Sequence, residues 1–143
     1  MFGQVGGGRR GPPQQKRESL GGSEGTLNMR PGQLHPNELE LAILERIAAS
    51  APAIRAATQA LHVLSREFSG VGSFTNFQVN EAQYGEPERH LDLDALINVP
   101  GVPNGLGAVL FCKGDQPECL EICTYGDDHW DGVYVGFTIE PTA

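Results

Sequence analysis

The chain has 143 residues, 39% of them hydrophobic, with 19 Gly, 10 Pro and a net charge of −8. That is one domain's worth of chain, long enough to bury a core, and no apolar run nears the ~20 residues a membrane span needs. The charge is unevenly placed. Residues 1–35 carry five basic and two acidic side chains, a balance of +3, whereas the remainder carries five basic and sixteen acidic ones, a balance of −11. A body this acidic repels phosphate backbones, which argues against nucleic-acid binding by the folded domain.

Residues 1–35 are rich in Gly and Pro and poor in large apolar side chains. Burial there is too small to offset the entropy of ordering, so the segment reads as a disordered basic tail, leaving 36–143 as a single domain. Arg9 and Arg10 precede no hydrophobic stretch, so neither a secretory nor a twin-arginine signal is expected. The expected location is cytoplasmic, where the three cysteines would be reduced.

The first ordered element starts at Asn37, a candidate N-cap, with Glu38 and Glu40 suited to the positive end of a helix dipole. Leu39, Leu41, Ile43, Leu44, Ile47 and Ala48 recur at helical spacing. Pro52 interrupts the pattern, and a second helix is expected from about Ala51 to Glu67, with Ile54, Ala57, Leu61 and Leu64 on its apolar face. Gly70 and Gly72 end it. Strands are then expected over 71–79, over 90–99, where Leu91, Leu93, Ala95, Ile97 and Val99 alternate with polar residues, and over 107–113. The last of these is apolar on both faces, the mark of a central strand. A four-residue turn at 114–117 would place Cys112 opposite Cys119 and return the chain along 118–125. Val133, Val135, Phe137 and Ile139 suggest a terminal strand. Helices followed by strands make the fold class α+β, with two N-terminal helices packed on a four- or five-stranded antiparallel sheet.

Few motifs carry chemistry. Cys112, Cys119 and Cys123 lack the paired knuckle spacing of a zinc site, and buried free thiols explain them. Arg66 would complement the end of the second helix, or reach a sheet carboxylate such as Glu121. Asp127, Asp128 and His129 could hold a divalent cation, although the loop 125–131 lacks the calcium-loop spacing and needs no ligand to explain its Gly and Asp. Trp130 stands either as a binding hot spot or as a plug for the end of the sheet. No nucleophile lies beside a base in any recognisable spacing.

The segments Leu64-Ser-Arg-Glu-Phe-Ser-Gly-Val-Gly-Ser-Phe-Thr75, Gly105-Leu-Gly-Ala-Val-Leu-Phe111 and Leu120-Glu-Ile-Cys-Thr-Tyr125, followed by Trp130, resemble those of an uncharacterised family of small bacterial proteins. The resemblance covers roughly residues 37–139 and implies an α+β domain with no assigned activity. Asp128-His129 and the cysteines at 119 and 123 depart from the family's pattern.

The expected function is a small acidic interaction module, without catalysis and without a cofactor, that binds a basic partner protein, as immunity proteins bind nuclease toxins (an analogy only). Its candidate binding residues are Glu121, Tyr125, Asp127, Asp128, Trp130 and Asp131. The alternative is a small-ligand or divalent-metal-dependent enzyme using the acidic loop 127–131. No membrane partner is expected, and a homodimer through exposed sheet edges is compatible with the interaction-module reading.

Overall fold

The computed structural model describes residues 35–142; the tail reading of 1–35 therefore lies outside the described residues except at His35. Helix α1 spans Glu38–Ser50 and is fixed at its start by a capping box. The Asn37 side chain accepts from the Glu40 N–H at 2.8 Å, and the Glu40 carboxylate accepts from the Asn37 N–H at 2.8 Å, satisfying two donors that the first turn leaves orphaned. Leu39, Ile43, Leu44, Ile47 and Ala48 are buried. Burying each Leu or Ile contributes about 1.5–3 kcal/mol, so packing rather than propensity holds this short helix. Ala51, at φ −140° and ψ 73°, leaves the helical region ahead of Pro52, as the residue before a proline tends to.

The expected second helix is one turn long. A 3₁₀ turn, Pro52–Ile54, leads into α2, Arg55–Thr58, and the Thr58 hydroxyl donates to the Arg55 carbonyl at 2.7 Å. The chain then enters strand β1, Val63–Phe68, where a helix was expected to run to Glu67. Helix propensities of ordinary residues differ by only about 0.7 kcal/mol. Pairing of β1 with its neighbour and the contacts of Arg66 described below outweigh that preference.

Six further strands follow: β2 Gly72–Phe77, β3 Glu88–Asp92, β4 Ala95–Val99, β5 Val102–Lys113, β6 Gln116–Thr124 and β7 Thr138–Pro141. They form one antiparallel sheet in the order β1-β2-β6-β5-β4-β7, with β3 also paired to β5. Seven strands replace the four or five expected. One addition is β1. Another arises because the expected strand 90–99 is two strands: Asp92 opposes Val109 and Ile97 opposes Leu106, so this side holds two more residues than β5 does. An even insertion preserves facing, which is why the period-two pattern ran unbroken through the interruption. The terminal strand lies at 138–141 rather than 133–139; Val133 and Val135 are exposed.

The β5–β6 turn is tighter than the expected four residues. Lys113 pairs with Gln116, Cys112 with Pro117 and Phe111 with Cys119 across a register shift. Cys112 and Cys119 are therefore not opposite one another, and all three cysteines are free.

The sheet has two unequal faces. On one, Val63, Phe77, Ile97, Val99, Leu106, Ala108, Leu110, Cys112, Leu120 and Ile122 join the α1 side chains, Ile54 and Trp130 in a single core. On the other, Val109, Phe111, Cys119 and Cys123 are only partly buried and Phe74 is 39% exposed; none of them belongs to that core. The two-sided apolar pattern of β5 thus marks a central strand without a second covering layer among the described residues. Among the described residues no helix is long and apolar enough to cross a membrane.

Candidate functional site

The side chain that most firmly joins helix to sheet is Glu40, which is 2% exposed. Its carboxylate accepts from Arg66 Nε at 2.8 Å and Arg66 Nη2 at 2.7 Å, from the Thr75 hydroxyl at 2.6 Å and from the Asn37 N–H. Burial by itself would raise its pKa; the hydrogen bonds from Arg66, Thr75 and Asn37, with the guanidinium charge, outweigh this and hold the group below its usual range. Arg66 therefore sits on β1 and faces α1, neither capping a helix nor reaching Glu121. With every oxygen occupied, the cluster reads as structural.

The loop after β6 is likewise held by its own polar groups. Asp128 Oδ2 accepts from the Asn104 N–H at 2.7 Å and Oδ1 from the Asn104 side-chain amide at 3.3 Å. Thr124 Oγ1 donates to the Asp128 carbonyl at 3.0 Å, and Asp131 Oδ1 accepts from the Val133 N–H at 3.1 Å. Trp130 is 5% exposed and part of the core. Its backbone N–H donates to the Gly70 carbonyl at 2.9 Å, its indole N–H to the Val133 carbonyl at 2.8 Å, and its ring meets Phe68 edge-on at 6.4 Å. Of the two readings of Trp130, its burial fits the plug. Asp127 and His129 are exposed, and among the described residues no three His, Cys, Asp or Glu side chains converge as a metal site requires.

Two of the sequence-selected residues, Glu121 and Tyr125, lie on the open face. Cys123 pairs with Gly107 and Glu121 with Val109, and the Tyr125 ring lies directly over Gly107, where any β-carbon would collide with its hydroxyl. Gly107 thus leaves room for the hydroxyl end of a half-exposed tyrosine against the sheet. The registers line up a row running Glu67, Phe74, Glu121, Val109, Asp92 across β1, β2, β6, β5 and β3. A parallel row runs Ser65, Asn76, Cys119, Phe111, His90. Carboxylates and apolar side chains alternate along the first. Sequence reasoning missed Glu67, Phe74 and Asp92 because only strand order makes them neighbours of Glu121.

The negative field of this face is felt by its thiols. Burial first, then Glu121, Glu118 and Glu67, push the Cys119 thiol up to about 12; burial is the main cause that takes Cys112 to about 11, and burial with Glu121 also raises Cys123. Since the thiolate is the nucleophile, iodoacetamide at pH 8 is expected to leave Cys112 and Cys119 unlabelled in the folded protein and to label all three in denaturant, as read by mass spectrometry. Fast labelling of Cys119 without denaturant would contradict this placement.

An apolar groove of about 760 Å³ is lined by Leu41, Leu44, Ala48, Ala60 and Leu61, with Arg55 and His62 at its margin. A shallower depression of about 540 Å³ is lined by Gly70, Pro100, Val102, His129, Trp130 and Val133. Neither brings a nucleophile to a base. No protein-family model, curated protein or solved structure matches the chain.

Proposed function

We propose that the folded domain is an interaction module that docks a basic partner protein and performs no chemistry of its own. The observation that supports this is the fate of its cations. Arg46, Arg66, Arg89 and Lys113 are paired with Asp94, Glu40, Asp115 and Glu88 at 2.8, 2.7, 3.1 and 2.9 Å. Among the described residues only Arg55 remains of the five cations, against the twelve of sixteen carboxylates outside those pairs. Such a field attracts a cation-rich protein and disfavours an acidic one, and the open sheet face offers apolar area to bury once contact is made. Glu121 and Tyr125 stay in the docking surface, with Asp127 beside it. Asp128 and Asp131 bond to the loop backbone and its neighbour Asn104, and Trp130 anchors the loop in the core.

The test is isolation of the partner with tagged protein from the source cells. A strongly basic protein is expected. It should be released as salt rises from ~0.1 to ~1 M, where the Debye length falls from about 10 to about 3 Å, and lost with Glu121→Lys. An acidic partner, or binding indifferent to salt, would refute the reading. The metal-enzyme alternative on Asp127, Asp128 and His129 has no observation of comparable weight, since the Asp128 carboxylate is engaged by Asn104.

A further inference from the structure

The geometry points to an amphipathic basic α-helix as the element of the partner that docks on the open face, lying across the strands along the row Glu67, Phe74, Glu121, Val109, Asp92. This rests on the basic-partner reading and adds to it the shape and register of what is bound.

Adjacent strands lie about 4.8 Å apart, so carboxylates on every second strand recur at about 9.6 Å, with an apolar side chain midway. Seven residues of α-helix rise about 10.5 Å, and residues three or four along lie about 5 Å away on the same stripe. Cations at positions 1, 8 and 15 of such a helix would therefore meet Glu67, Glu121 and Asp92, while apolar residues near 4 or 5 and 11 or 12 would meet Phe74 and Val109. The mismatch accumulates to only about 2 Å over the whole row, within the reach of a Lys or Arg side chain. Other backbones fit less well. A polyproline helix repeats every three residues, about 9.3 Å, but turns its intervening residues away from the apolar positions. An extended strand alternates faces every residue, so cations three apart would point in opposite directions.

The charge pattern also decides against the obvious rival, a second copy of the chain. Two open faces in contact would set carboxylate rows against each other. The cation on this face, Lys113, is held by Glu88 at 2.9 Å. Tyr125, 49% exposed at the end of the sheet, adds an aromatic contact of the kind enriched at interface centres.

The probe is a synthetic 18-residue helix-forming peptide with Arg at positions 1, 8 and 15 and Leu at 4, 5, 11 and 12, added to the full chain at ~0.15 M salt. The control peptide has the same composition and the same Leu positions, with Arg at 1, 7 and 13, which scatters the charges around the helix. Fluorescence anisotropy should give at least about tenfold tighter binding for the first, which corresponds to about 1.4 kcal/mol. Amide shifts should fall on Phe74, Glu121 and Val109. Glu121→Lys and, separately, Glu67→Lys should each weaken it by about tenfold or more, while Glu45→Lys, the same charge change on the exposed side of α1, which packs on the opposite face of the sheet, should weaken it far less; thermal melts confirm that each variant folds. Equal binding of both peptides, or equal loss in all three variants, would overturn the helix register while leaving a basic partner in place. Failure of both peptides and of polylysine to bind would refute that wider reading as well. Sedimentation of the protein alone as a dimer that Glu121→Lys alters would assign the face to a second copy and overturn the proposal.

Discussion

Replacing Glu40 with alanine is expected to lower the stability of the domain by about 3–5 kcal/mol, the usual cost of removing one partner from a buried ion pair. Arg66 would be left without its carboxylate and Thr75 Oγ1 without its acceptor, while α1 would lose half of its capping box. Urea denaturation followed through the single tryptophan should show the change as a lower midpoint with an unaltered slope. Glu40→Gln should cost less, because an amide oxygen can still accept from Arg66. The pH dependence has a definite sign. A carboxyl whose folded pKa is depressed below 4.5 contributes stability that is fully present above about pH 4.5 and is lost as pH falls through the lower, folded value. The variants should therefore approach wild-type stability at strongly acid pH and diverge from it above. A constant gap across that range would show that packing, not ionisation, accounts for the loss.

Trp130→Ala is expected to be comparably damaging, at about 3–5 kcal/mol for an aromatic removed from a core. The indole N–H bond to the Val133 carbonyl and the edge contact with Phe68 disappear together. Circular dichroism melts report this loss directly. The consequence for binding follows: any partner affinity lost by this variant should return at temperatures low enough to keep it folded. If a fully folded Trp130→Ala protein still failed to bind, tryptophan would be a contact residue after all.

How far the chain's residues foretell these arrangements depends on the range of the interactions that decide them. Asn37, Glu40 and the Leu39–Ala48 stripe are a local pattern, and α1 forms where that pattern lies. The alternation in 107–113 and 118–124 likewise fixed which side chains of β5 and β6 share a face, because facing follows from parity alone. Residues 59–67 were misread because Ile54, Ala57, Leu61 and Leu64 do recur at helical spacing. What makes β1 a strand is its pairing with β2 and the reach of Arg66 to a helix 26 positions earlier. The loop after β6 also depends on distant partners. The bonds that hold Asp128 and Trp130 come from Asn104 and Gly70, both distant in sequence, so local pattern could not choose between the hot-spot and plug readings of the tryptophan. Glu121 and Tyr125 were legible as candidates, whereas the row that gives Glu121 its neighbours depends on strand order.

The arrangement of strands also bears on how the domain assembles. β1 with β2, β4 with β5, and β5 with β6 are neighbours in sequence as well as in the sheet, so each pair can close over a short connection at small entropic cost. The seam between β2 and β6 is different: Thr75 meets Leu120 across 45 positions. It joins a small hairpin to the remaining strands, and helix α1 reaches both sides of it, through Glu40 to Arg66 and Thr75 and through Arg46 to Asp94. Long-range pairings of this kind govern folding rates. The helix is thus a clasp laid over one of the two longest-range joins of the sheet, the other being β4 with β7, where Ala95 meets Pro141, and its cap, its docking and the closing of the sheet share one carboxylate.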